Sequence, residues 1–341
     1  MQRLRGLVAL GGAILGALGG LGLSGPASAA DDFYKDKTIN MVVGFTPGGG
    51  YDAYARQLAR FLPDHIPGKP NMIVQNMPGA GSMTAVRALD VTQPKDGTVM
   101  VIFNPGLILQ SMVQPDKVPV DFRKYSFVGV VTPDFRVCYG FGPKGVKSWD
   151  EMMARKEFIL GGTGKGSGNY VNGATLREVF NAPVKQILGF PGSNEQRLAL
   201  ERGELDGDCG SFNSIPPAWL REGKVYPFVR FTREKEADMP ESARFIEDFA
   251  KTPEQRELLS VLNAGDEVGR PFIVSRDIPA ERLAILRKAF DSLMKDPGFR
   301  AEMVKQALPV YPISGPESEQ LLARMLKTPR AIADKARVIF E

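Results

Sequence analysis

Short apolar runs alternate with amphipathic ones along most of this chain. Ile39 to Phe45 precedes the helical spacing of Asp52 to Leu62, Met72 to Val74 precedes Ser82 to Leu89, and Thr98 to Phe103 follows. A brief run without alternation suits a strand buried on both faces, and the longer amphipathic stretches suit helices laid over it. Repeated strand and helix units predict an α/β fold with a largely parallel sheet. Phe127 to Val131 and Val137 to Phe141 flank Thr132-Pro133-Asp134, a break at which one lobe hands over to the next. A second series follows, with Phe158 to Leu160 as a strand, Asn172 to Phe180 as a helix and Val184 to Leu188 as a strand. Ser148-Trp149-Asp150-Glu151 and Ser193-Asn194-Glu195-Gln196 fit the capping box, so each is expected to open a helix.

Glu234 to Leu262 reads as charged and helical, Arg270 to Val274 as a strand, and Pro279 to Lys295 as a long helix with Pro279 at its first position. Helices are expected at Pro316 to Leu326 and Ala331 to Phe340, in a tail that returns to buttress the first lobe. Two crossovers would then form a hinge between domain 1, residues 31–132 with 266–341, and domain 2, residues 133–265.

Four connections in this series are rich in glycine. They are Thr46-Pro47-Gly48-Gly49-Gly50-Tyr51-Asp52, Asn76-Met77-Pro78-Gly79-Ala80-Gly81-Ser82, the stretch from Gly161 to Asn169, and Gly189-Phe190-Pro191-Gly192-Ser193. Each follows an expected strand and precedes an expected helix. In a parallel sheet such loops gather at the carboxyl ends of the strands, where open α/β sheets bind ligands. The first amides of a helix have no intrahelical partner and sit at the positive end of its dipole, so each loop suits an anion. A phosphate-binding loop is excluded, because Lys165 precedes Gly166 and no glycine stands five residues before Gly164.

Residues 1–30 carry Arg3 and Arg5, a glycine-rich apolar run from Gly6 to Leu23, and the small-residue site Pro26-Ala27-Ser28-Ala29. This is the pattern of a signal peptide cleaved near Ala29 or Ala30, rather than of an uncleaved anchor, and it sends the mature chain out of the cytoplasm. Of the formal charge of +4, the two arginines of that segment contribute two, and the remaining acids and bases are interleaved, so no nucleic-acid partner is expected. In an oxidising compartment Cys138 and Cys209 either pair, closing a long loop, or are buried separately. His65 is the single histidine and lies in a proline-bounded turn, which excludes a histidine-rich zinc site. With no G-x-S-x-G elbow for it to meet, a Ser-His-Asp triad has no support. No metal and no cofactor are expected.

The strand leading into Thr46 to Asp52, the motifs Asn76 to Gly81, Gly164-Lys165-Gly166-Ser167 and Phe190-Pro191-Gly192-Ser193, and Glu201-Arg202-Gly203-Glu204-Leu205-Asp206-Gly207 occur in order over essentially the whole mature chain. In these the chain resembles the substrate-binding proteins of tripartite tricarboxylate transporters, the TctC or Bug family. The resemblance implies a two-lobed periplasmic-binding-protein fold of type II-like form, with domain 1 built from both ends. It implies a monomeric receptor that binds a small organic carboxylate, a di- or tricarboxylate, through its glycine loops and ordered water. Delivery would be to a membrane permease of one large and one small subunit. Two features depart from the family's pattern, the aromatic Tyr51 beside the turn and the connection Gln110 to Phe122.

Thr46, Gly48, Gly49 and Gly50 are expected to offer backbone amides and one hydroxyl from the first lobe, and Thr163, Gly166, Ser167, Gly192 and Ser193 to do so from the second. Asn104, after a strand, is placed to hydrogen-bond a ligand without charge. Tyr51 and Phe190 either wall the cleft or join the core. Asp52 would repel a carboxylate, so it is expected to cap or orient its loop rather than touch an amine or hydroxyl of the ligand. Arg136 is either structural or the bidentate partner of a second carboxylate, and Asp206 is expected to brace the second-lobe loops. Two other readings are an exported hydrolase using Ser167 or Ser193 with Lys165 as base, and a receptor that serves only a sensor.

Overall fold

The computed structural model describes residues 33–341; the expected signal peptide lies outside the described residues. In chain order the strands are β1 (Thr38–Val43), β2 (Asn71–Asn76), β3 (Val99–Ile102), β4 (Tyr125–Val130), β5 (Arg136–Phe141) and β6 (Phe158–Gly162). They continue with β7 (Val184–Leu188), β8 (Gly207–Ser211), β9 (Val225–Arg230), β10 (Arg244–Phe245), β11 (Pro271–Ser275) and β12 (Ile313–Ser314). The helices are α1 (Gly50–Phe61), α2 (Met83–Val91), α3 (Gly106–Val113), α4 (Trp149–Met153), α5 (Gly168–Phe180) and α6 (Ser193–Glu201). Then come α7 (Pro217–Arg221), α8 (Pro253–Val268), α9 (Ala280–Leu293), α10 (Pro297–Lys305), α11 (Gly315–Leu326) and α12 (Arg330–Ala336).

The strands form two six-stranded sheets, one in the order β12-β4-β11-β3-β1-β2 and one in the order β10-β9-β5-β8-β6-β7. Each sheet is parallel in its strand-helix half, where β1 pairs with β2 and β3, and β6 with β7 and β8. Each is antiparallel where the chain returns, at β11 against β3 and β4 and at β5 against β8 and β9. The expectation of a largely parallel sheet therefore gives way to mixed pairing. Alternate residues of a strand point to opposite faces. Met41 and Val43 accordingly join Tyr54, Leu58 and Phe290 in one core, while Val42 joins Val86, Leu89 and Leu107 in the other. Full burial of a side chain such as Leu58 contributes about 1.5–3 kcal/mol.

Several expectations are corrected. Residues 234–243 form no helix, because Pro240 disfavours helical geometry at Met239 and removes a donor; the helix of this region is α8, opened by Thr252, whose hydroxyl accepts from Gln255 N at 3.2 Å. The helix α3 was not expected from periodicity, since Leu107 to Gln110 are all buried and leave no amphipathic stripe. The helix α10 was also missed, although Asp296 caps it by accepting from Phe299 N at 2.7 Å. At α6 the cap is Gly192 rather than Ser193, and Pro279 stands at the cap of α9 rather than inside it. Ser148 does cap α4 as expected. The tail buttresses the first sheet through α11, but its end crosses over. Ala333, Ala336, Ile339 and Phe340 are buried in the second lobe's core with Leu160, Ala174 and Leu259, because that face of α12 and the turn after it is wholly apolar.

Cys138 stands opposite Cys209 across β5 and β8, and the two are disulfide-bonded and fully buried. The bond spans 71 positions, so reduction of the fully buried pair, or its replacement by alanines, is expected to lower unfolding free energy by about 2–4 kcal/mol. Chemical denaturation of the double variant measures this, and an unchanged midpoint would refute it.

Candidate ligand-binding site

The four glycine loops all follow strands and lead into helices, and they meet in facing pairs between the lobes. Beyond β1, Thr46 N donates to Pro191 O at 3.4 Å and Thr46 Oγ1 to Glu195 Oε2 at 3.0 Å. From the other side Asn194 Nδ2 donates to Pro47 O and Arg197 Nη2 to Gly48 O, both at 2.9 Å. The loops beyond β2 and β6 also touch, and a Cβ at Gly81 would lie 3.1 Å from Ser167 N. Beside them Asn104 Nδ2 donates to Gly166 O at 3.2 Å.

Behind this seam lies a small cavity. Gly50, Tyr51 and Arg270 line it from the first lobe, and Arg136, Asn169, Ser193, Arg197, Asp208 and Ser214 from the second. The cavity is small, with a volume of about 30 Å³. Gly50 permits the close approach, since a Cβ there would lie 2.4 Å from Ser214 Oγ and 3.2 Å from Arg270 Nη2.

A buried ion network underlies the cavity at the crossover. Asp134 receives Arg136 Nη1 at 2.9 Å and Arg270 Nη2 at 3.2 Å, and all three residues are nearly inaccessible. Burial alone would raise the Asp134 carboxyl, but Arg270 and Arg136 outweigh it and hold the group below the usual carboxylate range. Arg270 also lies over the ring of Tyr51, 4.1 Å from its centroid, and Tyr51 stacks on Phe45 at 4.8 Å.

Asp266 has the opposite balance. Its Oδ1 is 3.9 Å from Arg136 Nε, its Oδ2 has no partner, and burial pushes its carboxyl well up. The folded chain thus binds this proton more tightly than the unfolded chain, so ionisation at neutral pH costs stability. Asp266→Asn is expected to raise the melting temperature at pH 7.5, with the gain shrinking as pH falls and gone below about pH 4. Calorimetry across that range would refute this if the variant melted lower at pH 7.5.

Of the residues singled out from the sequence, Gly50, Tyr51, Arg136 and Ser193 line the cavity. Thr46 and Gly192 form the seam instead, and Asn104 is a strut across it. Gly49 N-caps α1 and faces Ser193. Gly48, with φ of +85°, donates its amide to Asp52 Oδ2 at 2.8 Å, so this amide does not face a ligand. Asp52 is the expected brace. It also receives Arg56 on both oxygens and Asn76 Nδ2 at 2.9 Å, and these hydrogen bonds outweigh burial and keep its carboxyl low. Ser167 caps α5 by accepting from Tyr170 N, and Gly166 packs on α3 beside Gln110. The Thr163 hydroxyl is buried without a partner. Asp206 accepts from Ile159 N at 2.7 Å and braces β6, away from the cavity.

Arg136 is committed to structure, with donors on Asp134, Asn169, Asn172 and Cys209 O. Phe190 packs beside the core of Ala199 and Leu205. Lys165 Nζ donates to Phe340 O at 2.9 Å, so it forms no base pair with Ser167 or Ser193. Sequence reasoning missed Arg197, Arg270, Asn169 and Asp208. Arg270 and Asp208 had one signal, namely charged residues at the ends of otherwise apolar or glycine-rich strands.

Two facing α/β lobes with a charged cleft at the strand ends are the architecture of a periplasmic binding protein. The solved structure of periplasmic binding protein BugD matches with a TM-score of 0.72 at 19% identity, over 89% of this chain and 99% of that one. MatC from Rhodopseudomonas palustris with bound malate matches with a TM-score of 0.69 at 20% identity, over 89% and 99%. No family model matches the chain. In sequence it is 26% identical over 352 aligned positions to the UPF0065 protein in the gbd 5′ region of Cupriavidus necator, covering 98% of both. These likenesses agree with the two-lobed fold that the resemblance in the loops implies. Among the described residues no helix is long and apolar enough to cross a membrane, and no cluster of acids, histidines or cysteines suits a metal.

Proposed function

We propose that this chain is a periplasmic solute-binding receptor that captures a small organic carboxylate between its lobes and delivers it to a tripartite tricarboxylate-type permease of one large and one small membrane subunit. The observation that carries the reading is the convergence of glycine loops from two facing sheets on one cavity lined by Arg136, Arg197 and Arg270. Guanidinium donors in a water-poor cleft replace the hydration of a carboxylate, at about 1.5–3 kcal/mol for each charged hydrogen bond. MatC, of the same fold, was solved with malate, a carboxylate, and this supports the same class of ligand here. The lobes proposed are residues 31–132 with 266–341 and residues 133–265, with the end of the tail laid across the second. The ligand enters with the lobes parted and is enclosed when they shut. The chain carries out no catalysis on this reading, since Lys165 and the two serines are not assembled as base and nucleophile.

Isothermal titration of the mature protein against di- and tricarboxylates, aromatic acids and acidic amino acids is the test. Saturable heat with at least one carboxylate is expected, at about micromolar affinity. Folded protein that is silent across the whole panel would overturn the reading.

A further inference from the structure

The apex of the loop between β6 and α5 is a place where the second lobe meets the first, and it does so with backbone alone. A Cβ at Gly164 would lie 3.0 Å from Gly81 N, and one at Gly166 would lie 2.4 Å from Gln110 Oε1. Asn104 Nδ2 of the first lobe donates to Gly166 O, and Ser167 N closes the turn on Gly164 O at 2.8 Å. Between the two glycines stands Lys165, whose side chain reaches the tail of the chain instead. Its Nζ donates to Phe340 O at 2.9 Å and to Glu341 O at 2.6 Å. That tail is a firm anchor. Ile339 and Phe340 are fully buried in the second lobe's core with Leu109 and Val113 of α3, and Phe340 O takes a second donor, Gln114 Nε2, at 3.3 Å. Both acceptor positions of this carbonyl are therefore used.

An apex flanked by glycines has many backbone conformations, and fixing one of them as the lobes shut costs entropy. A side-chain anchor that fixes it beforehand removes that cost from capture. Building on the receptor reading above, we infer that Lys165 is a positioning residue for ligand capture: its bond to the tail holds the Gly164-Lys165-Gly166 apex ready for closure, without touching the ligand. The cavity agrees with this, since Lys165 is not among the residues that line it. The tail, which leaves the first lobe at α11 and packs into the second through α12, thereby takes part in capture from outside the cleft.

The probe is the acid of the titration panel that binds the wild type most tightly, with malate tried first, at pH 7.5. Lys165→Met keeps the stem and removes the donors. It is expected to raise Kd about 10-fold through faster release, with the association rate within about twofold of wild type and its salt dependence unchanged. Lys165→Arg is expected to stay within about threefold in Kd, since a guanidinium also donates to carbonyls. Without ligand, Lys165→Met is expected to melt within about 3 °C of wild type. Truncation after Val338 removes the same anchor, so adding Lys165→Met to it should cause no further loss of affinity. Wild-type affinity in Lys165→Met overturns the inference and leaves the receptor reading standing. A loss that falls on the association rate and fades with salt, the mark of a lysine that meets the ligand itself, overturns it as well. So does a further loss in the truncated chain, or a larger fall in melting temperature, which would make Lys165 a folding residue. If the truncated chain does not fold, the rates and the melting temperature of Lys165→Met decide alone. Silence of the wild type toward every acid of the panel overturns both readings.

Discussion

Gly192→Val is expected to weaken ligand capture by about 10- to 100-fold, the cost of roughly 1–3 kcal/mol that overpacking imposes on a closed contact. Gly192 has an extended backbone, φ −172° and ψ −178°, that any residue adopts, so the substitution does not strain the second lobe itself. A Cβ at this position would stand 2.0 Å from Thr46 Oγ1, an atom of the opposite lobe. Thr46 is β-branched, so only the rotamer that turns its hydrogen to this place would clear it, and that rotamer gives up the bond to Glu195. The added volume therefore meets its main resistance when the lobes shut, since within its own lobe the nearest atom is the flexible Glu195 carboxylate at 3.3 Å. Titration with the best ligand and thermal melting without ligand separate the two effects. Wild-type affinity in the variant would show that the seam is no part of capture, and a large fall in melting temperature would show that the glycine serves folding instead.

Asp134→Ala is expected to lower unfolding free energy by about 3–5 kcal/mol, since it leaves two buried guanidiniums without their shared counter-charge. Asp134→Asn keeps the shape and loses the charge, so it should recover little. In the wild type the depressed carboxyl contributes stability above the unfolded value near pH 4, and that contribution disappears as pH falls through the lower folded value. The variants should therefore lose their deficit in strong acid, where both states of the wild type are protonated. Urea titrations at pH 7 and in acid check this. Full recovery of stability by Asn at pH 7 would mean that packing at Asp134, not charge, holds the crossover.

Much of this arrangement is legible along the chain because it is local. A strand, a glycine turn and a helix are set by residues within a few positions of one another, and the four loops are found by that pattern. The brace at Asp52 is likewise local, since Gly48 and Arg56 are each four positions away. Helices without an amphipathic stripe escape notice, as at α3, whose burial extends through four consecutive residues. Where charge outweighed backbone conformation, as over residues 234–243, composition suggested a helix that Pro240 prevents.

What the sequence determined by itself is the class of structure and the face on which a ligand is met, because periodicity and turn chemistry act over short range. Only the tertiary structure decided which charges share the cleft. Arg270 and Asp134 are 136 positions apart and meet because two strands from different halves of the chain begin at one crossover. Whether an arginine is committed to a carbonyl or open to a guest is likewise invisible in its surroundings along the chain. Hydrogen-bond partners and burial are properties of packing, and packing brings together residues that sequence order keeps apart.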